Sequence, residues 1–395
     1  LPRINNQVSD FIPVARIADM LLKPGEYYDY DGEQRTYPDI KMVYWCGGNP
    51  FHHHQDLNRL VESWQQPDTI IIHEPWWNSN ARHADIVLPI ATTFERNDIA
   101  GGRADGFLFA MQKSIEVVGQ SKTDYEIFSL LADQLGFKAE FTEGRTEKQW
   151  LEHLHQRFQQ AASEVVYGVP SFEEFWSKGF YALPDLEGEP FLGGFRKDPS
   201  ANPLATPSGK IEIFSSTIDK FSYEDCPGHP TWMEPCEWLG AESVKKYPLH
   251  LITNQPKTRL HSQYDNGGYS LENKIREREP VSINPKDAVA RGISDGDIVR
   301  LFNDRGACLA GVIVTEDVMP GVVQLSTGAW YDPLVPGEIG SVDVHGNPNV
   351  LTIDKGTSKL AQGPSAMSAL VEVELFEDEL PPIKIFSPPE IIESA

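Results

Sequence analysis

Cysteine is scarce in this chain: four residues of 395, at Cys46, Cys226, Cys236 and Cys308. No two form a CxxC pair, which excludes zinc ribbons and iron–sulfur runs, and the spacing is not that of a disulfide framework. Positive charge is also short. Lys and Arg number 34 against 58 Asp and Glu, so the formal charge is −24 at pH 7. Such a chain makes a poor general surface for nucleic acid or anionic membrane, although a local cation can still hold a phosphate. No apolar run approaches the roughly 18 residues that a membrane-spanning helix needs. There is no Gly-x-Ser-x-Gly elbow and no solenoid repeat. The first residue is Leu and no leader follows, so the chain is expected to be a mature product or a piece of a longer protein.

What is present is enough to fold. Hydrophobic residues make up 40% and charged residues 23%, which is the balance of a globular chain rather than a disordered one. The length predicts two or three domains, because single cores stop growing at about 250–300 residues. Residues 11–22 have helical spacing, and 24–32 are turn-rich. Residues 42–46 read as a buried strand that Gly47-Gly48-Asn49-Pro50 ends sharply. A helix is predicted over 55–64 and further strands over 69–73 and 85–88. Strand, glycine turn, helix and strand make a βαβ unit, hence an α/β, doubly wound parallel-sheet domain. Helices are predicted over 124–135 and 147–158. From about 168 the texture becomes Pro, Gly and aromatics, an irregular connector. Beyond 247 short strands at 249–253, 297–302, 308–314 and 322–325, with regular turns and one helix at 285–290, predict a small β-barrel. The expected domains are 1–167, 168–246 and 247–395.

Several polar groups fall at strand ends, where open α/β sheets bind ligands. Gly47-Gly48-Asn49-Pro50 lets backbone amides approach a phosphate at a helix start, or is an ordinary turn. His52-His53-His54 invites a zinc reading with His73 and His83. Three consecutive histidines cannot all face one ion from a regular element, so a histidine bonding a ligand or neighbour is the better reading. His73-Glu74 and Glu95-Arg96-Asn97-Asp98 follow the next two strands. Their common placement says more than any one of them. Later come Thr258-Arg259-Leu260-His261-Ser262-Gln263, Asn347-Pro348-Asn349 and 356–363, all rich in donors. His261 and Ser262 lack an orienting acid for hydrolysis.

Taken together, Trp45-Cys46-Gly47-Gly48-Asn49-Pro50-Phe51-His52-His53-His54-Gln55, His73-Glu74-Pro75-Trp76-Trp77, Ala84–Pro89 and Glu95–Asp98 resemble the molybdopterin-dependent oxidoreductases of the dimethyl sulfoxide reductase family. So do Ala205–Glu212, Arg259–Gln263, Phe302–Gly306 and Gly356–Gln362. The resemblance is to the S- and N-oxide reductases, including biotin sulfoxide and trimethylamine N-oxide reductases. It covers essentially the whole chain but only the carboxyl-terminal half of the family's protein. It implies a double-psi barrel for the last domain and a bis(molybdopterin guanine dinucleotide) molybdenum cofactor. It also implies two-electron chemistry in which oxygen leaves an S-oxide or N-oxide, an electron-donor protein, and a missing amino-terminal half that carries the metal ligand. No residue here matches the family's metal-ligand motifs, so no catalytic residue and no metal ligand is named in this chain, and the chain is expected to be inactive alone. Carried over position by position, the implied cofactor-binding residues are Cys46, Gly48, Asn49, His53, His73, Arg96, Asp124, Gln255, His261, Gln263, Asn349 and Gln362. Asp124 and Gln255 come from the resemblance alone. Asp124 or Asp98 would accept from guanine, and Arg96 would offset pyrophosphate charge. The alternatives are a non-catalytic dinucleotide-binding module and a zinc hydrolase built on the histidines. Compartment stays open between cytoplasm and periplasm.

Overall fold

In the computed structural model, residue 8 and residues 10–102, 106–162, 168–184, 190–365 and 367–392 are described. Fourteen strands run in order among them: β1 Tyr27–Tyr30, β2 Glu33–Thr36, β3 Met42–Cys46, β4 Thr69–Glu74, β5 Ile86–Pro89, β6 Asp98–Ala100, β7 Phe107–Met111 and β8 Phe180–Ala182, then β9 Leu249–Ile252, β10 Pro280–Ile283, β11 Ile298–Phe302, β12 Ala307–Val314, β13 Val322–Leu325 and β14 Ala369–Leu375. The helices that matter below are α1 Ile17–Leu22, α2 Pro50–His53, α3 Leu57–Trp64, α4 Asp124–Gln134, α5 Lys138–Thr142 and α6 Glu147–Ala162. The described residues form two compact units. One takes 8, 73–76 and 87–212; the other takes 10–72, 77–86 and 213–392. The expected domain edge at residue 167 lies outside the described residues.

The larger unit is built on a closed barrel in the order β10-β12-β11-β14-β9-β13. Two neighbouring pairs, β10–β12 and β9–β13, are parallel, and the others antiparallel. Closure leaves no unpaired edge. Period-two alternation fills the interior: Leu249 and Leu251, Val281 and Ile283, Val299 and Leu301, Cys308, Ala310 and Val312, Val323 and Leu325, Ala369, Val371 and Val373 are all buried in one cluster. The same cluster takes in Phe51 of α2 and Leu57, Leu60, Val61 and Trp64 of α3. The β11–β12 turn explains how α3 docks so closely. A Cβ at Gly306 would stand 2.5 Å from Asn58 Nδ2 and 2.9 Å from Val350 O, and Asn58 Nδ2 donates to Arg305 O at 2.8 Å. Only glycine fits there.

Strands β3, β4 and β5 form a sheet in that order. Asp68 N donates to Lys41 O (2.8 Å) and Asp85 N to Ile70 O (3.0 Å), so the strands start side by side and run parallel. A second sheet, β6-β7-β8, is antiparallel. The structure is thus mixed α/β with a parallel sheet and a closed six-stranded barrel.

Local departures from expectation have local causes. The turn-rich 24–32 stretch is half of a hairpin, β1 with β2, because Asp31 and Gly32 both adopt positive φ (48° and 82°), the backbone of a tight hairpin turn. The predicted 55–64 helix starts at Leu57 because Asp56 takes φ 47° and caps α3 by accepting from Arg59 N. The 168–207 stretch is not wholly irregular. Ser171 and Glu174 form a capping box that starts a helix over Phe172–Lys178. Strands β10 and β14 of the barrel were not anticipated.

Candidate functional site

In the barrel unit the chain leaves β3 through Cys46, Gly47 and Gly48. Both glycines have φ near +78°, which the turn requires, and no atom lies within 4 Å of a Cβ placed on Gly47. The backbone there is open to close approach. Trp45 Nε1 donates to Gly48 O at 3.1 Å and holds the turn. Cys46 and His53 are exposed, whereas Asn49, His52 and His54 are buried. Asn49 occupies the N-cap position of α2 without a side-chain capping bond, and its Nδ2 donates to Ser262 Oγ at 3.5 Å. Its Oδ1 is buried with no hydrogen-bond partner among the described residues. An unmet buried acceptor on an open turn is the strongest local sign of a ligand donor.

The barrel's loops bring further predicted residues to this turn. The His52 and His261 rings lie 5.3 Å apart. Burial, then the neighbouring His53, His261 and Arg259, push His52 down to about 3, so it is neutral. Exposed His261 (φ 54°) and Gln263 flank Ser262. Gln255 is exposed on a loop tied in by Thr327 N donating to Asn254 O (2.9 Å), and Thr327 Oγ1 is 3.5 Å from His52 Nδ1. Asn349 is buried and its amide is spent inside the protein: Nδ2 donates to His52 O at 2.5 Å, while Oδ1 accepts from Thr352 Oγ1. Gln362 Nε2 donates to Asp29 O (2.9 Å) and so is engaged with the β1–β2 hairpin.

The other unit holds His73, Arg96 and Asp124. His73, at the end of β4, is buried and its Nδ1 lies 2.7 Å from Asp124 Oδ1. Asp124 is the first residue of α4, and its side chain is half exposed, so the carboxylate can still accept from a ligand. Arg96 pairs with Asp98, whose Oδ1 also accepts from Ile99 N. Glu95 is structural. It accepts from Thr92 N and Val118 N, each at 2.7 Å, and these bonds lower its pKa.

The three consecutive histidines diverge. His52 faces Thr327 and His261, His53 stacks near Trp45, and His54 Nε2 lies 3.7 Å from Asp354. Among the described residues no group of three His, Cys, Asp or Glu is placed to hold a metal ion, so the zinc reading has no ligand set there.

Sequence reasoning missed the buried polar frame behind these loops. Asp343 is fully buried and accepts from Asp332 N, Gly346 N and Asn347 N (2.6–2.7 Å). Burial pushes it up to about 7 despite those donors. The loop it shapes presents Asn347 Nδ2 to Phe51 O and Ala329 O, both at 2.9 Å, which fixes α2. Arg16, Arg59 and Asp19 surround Asp354. Arg259, Asp265, Lys274 and Glu279 form a second buried cluster. No spacing rule finds partners so far apart in sequence.

Comparison with known proteins bears on both blocks of the chain. Residues 28–134 match the family described as molybdopterin oxidoreductase, and residues 249–370 match the molydopterin dinucleotide binding domain. The chain is 48% identical to a dimethyl sulfoxide/trimethylamine N-oxide reductase of Cereibacter sphaeroides, over 96% of this chain and 46% of that protein. It is 48% identical to a biotin sulfoxide reductase of the same organism, over 95% of this chain and 50% of that one. A trimethylamine-N-oxide reductase of Haemophilus influenzae is 47% identical over 95% of this chain and 46% of its own length. The chain thus spans about half the length of the curated relatives it matches. Among solved structures, acetylene hydratase from Pelobacter acetylenicus superposes with a TM-score of 0.65 at 20% identity, covering 86% of this chain and 45% of that one, which speaks to the fold.

Proposed function

We propose that this chain, which belongs to the molybdopterin oxidoreductases, binds the dinucleotides of a bis(molybdopterin guanine dinucleotide) molybdenum cofactor as part of an S-oxide or N-oxide reductase. The observation that carries the reading is the unpartnered, buried Asn49 Oδ1 on an open Gly-Gly turn beside His52 and His261. The sugars and guanine of such a dinucleotide offer the hydroxyl, amide and amine hydrogens that this oxygen lacks, and its pyrophosphate accepts from the open backbone amides. The residues present fit the group.

The roles follow from what each side chain has left to give. Cys46, Gly48, Asn49 and His53 would line the turn, with His261, Gln263 and Gln255 adding donors and acceptors from the barrel loops. Asn349 would act mainly through His52, whose carbonyl it holds. Gln362 would contribute its carbonyl oxygen, since Nε2 is engaged. In the other unit His73 orients Asp124, whose outer oxygen would accept from guanine N1 and N2. Arg96 would offset phosphate charge while paired with Asp98. The α/β block 1–167 and a double-psi barrel over 247–395 would be the two dinucleotide-binding domains, joined by 168–246. When bound, molybdenum supplies the two-electron oxygen-atom transfer, and the protein supplies orientation and electrostatics. The metal's protein ligand would come from the amino-terminal half of the same enzyme, and the electrons from a separate donor protein.

The test uses the full reading frame that includes this chain, expressed in a host that makes the cofactor. The purified protein should release two guanine nucleotides per molybdenum and reduce dimethyl sulfoxide, trimethylamine N-oxide or biotin sulfoxide with a viologen donor. Asp124→Ala should weaken dinucleotide retention by about 1.5–3 kcal/mol, the worth of a hydrogen bond to a charged group. The 395-residue chain alone should show no turnover. Protein free of both guanine and molybdenum overturns the reading.

A further inference from the structure

We propose that Arg259, Asp265, Lys274 and Glu279 form a charge-balanced, buried strut that positions His261 and Gln263, and so makes these four positioning residues for dinucleotide binding. This role rests on the dinucleotide reading given above.

Arg259 opens the loop that carries His261 and Gln263, and Asp265 closes it. Their side chains meet across the loop's base, with Arg259 Nε 3.3 Å from Asp265 Oδ1. Lys274 Nζ lies 2.9 Å from both Asp265 Oδ1 and Glu279 Oε2, and Glu279 Oε1 is 3.1 Å from the Arg259 guanidinium. Two cations thus face two anions, and all four side chains are at most 4% exposed. Most of the remaining valences are met too, although Arg259 Nε, 3.3 Å from Asp265 Oδ1, has no well-aligned acceptor. Asp265 accepts from Ser270 Oγ (3.1 Å) and Trp330 N (2.9 Å), and Arg259 donates to Thr327 O (3.3 Å) and Ser270 Oγ (3.1 Å). Burial alone would raise Asp265, but Lys274, His345 and Arg259 draw it down to about 2, so the carboxylate is ionised.

Stability does not explain such a cluster, because well-packed apolar residues commonly serve a core as well or better. Geometry does. The loop is pressed into a demanding shape: His261 has φ 54°, and a Cβ on Gly328 would stand 2.0 Å from His261 O. Trp330 Nε1 holds Ser262 O at 2.8 Å. A fully paired ionic network has few alternative arrangements, so it fixes where the exposed imidazole and amide stand.

The test is charge balance. Glu279→Gln and Lys274→Met each leave one buried charge without its partner, and the double variant restores neutrality. Hydrogen exchange over 259–265 in the full-length protein should rise roughly tenfold in each single variant, and guanine retention should fall by roughly tenfold to a hundredfold, as expected for mispositioned groups. The double variant should recover most of both. Should a single variant fail to fold, Arg259→Lys keeps the charge but loses the fork, and should loosen 259–265 while leaving the urea midpoint near that of the parent. Double-variant losses equal to the sum of the singles, or unchanged exchange in every variant, overturn the strut. Absence of guanine in the unmodified protein instead overturns the cofactor reading, so the two failures are told apart.

Discussion

The two units differ in how much charge they bury, although both carry exposed pairs, such as Lys245–Glu242 in the barrel unit. The barrel unit draws charge inside: Asp354 at 1% exposure between Arg16 and Arg59, and the Arg259 cluster behind the candidate site. The other unit leaves most of its pairs in water, as with Lys148–Glu152 at 78% and 39% exposure and Lys138–Asp133 at about half. His73–Asp124 stands between these extremes, with a buried imidazole and a half-exposed carboxylate. Buried pairs set geometry and cannot be broken cheaply, whereas exposed pairs mainly keep an acidic surface solvated. The barrel unit's candidate-site loops are therefore tied to a buried polar frame.

Asp354→Ala should break this contrast most severely. It strips a buried partner from both Arg16 and Arg59, and His54 Nε2 loses the carboxylate 3.7 Å away. We expect a loss of about 3–5 kcal/mol, read as a shift in the urea midpoint with the slope unchanged. A midpoint within error of the parent would mean that the cluster is not a unit.

Acid should separate the two settings next. His345 is fully buried, and burial, then Lys274, hold it down to about 3 from 6.5. Its folded pKa is depressed, so the unfolded chain takes the proton first. Stability is then lost as pH falls below 6.5 and continues to fall toward 3. The comparison is between the parent and His345→Asn, which can still donate to Trp330 O. The parent should lose about 2 kcal/mol more than the variant between pH 6.5 and 4.5. Equal acid slopes would show that the imidazole is hydrated in the folded protein.

Asn347→Ala tests the frame at a neutral residue. It removes two buried donations, to Phe51 O and Ala329 O, and frees the start of α2. A loss of about 2 kcal/mol is expected in urea unfolding. Faster hydrogen exchange over 50–53 should accompany it.

The parts of this frame that were legible in sequence are the local ones. Gly47-Gly48-Asn49 ends β3 because two successive positive-φ residues are needed, and glycine announces that. The strands at 42–46 and 69–73 and the helix Pro285–Ala290 have their signals written next to one another, although β3, expected to be buried, is half-buried and exposed at both ends because it lies at the edge of its sheet. The family resemblance at residues 28–134 and 249–370 is borne out by the matches there. The barrel's order was not legible, because pairs such as β9 with β14 join residues more than a hundred positions apart. Strand β10 opens on Pro280 after a charged run, which reads as a turn rather than a barrel strand. The strut joins positions 259, 265, 274 and 279 to Trp330, and nothing local in any of them signals a buried charge. Short-range chemistry therefore pointed to the candidate site, and the long-range charge pairs behind its loops are visible only in three dimensions.

The smallest expected effect sharpens the comparison from its other side. Lys148 and Glu152 sit four apart on α6 with 3.6 Å between charges, and the lysine is 78% exposed. In that setting water already solvates both groups, and holding two long side chains together costs rotamer entropy that the screened attraction barely offsets. Lys148→Ala should change stability by less than about 0.5 kcal/mol, and alanine's higher helix propensity works in its favour. Raising the salt concentration should erase even that difference, while leaving the Asp354→Ala loss largely intact, since a pair at 1% exposure is poorly reached by counterions. If the Lys148→Ala loss rivals that at Asp354, then exposure is not what divides the two units, and the charges on α6 belong to a network that geometry alone does not reveal.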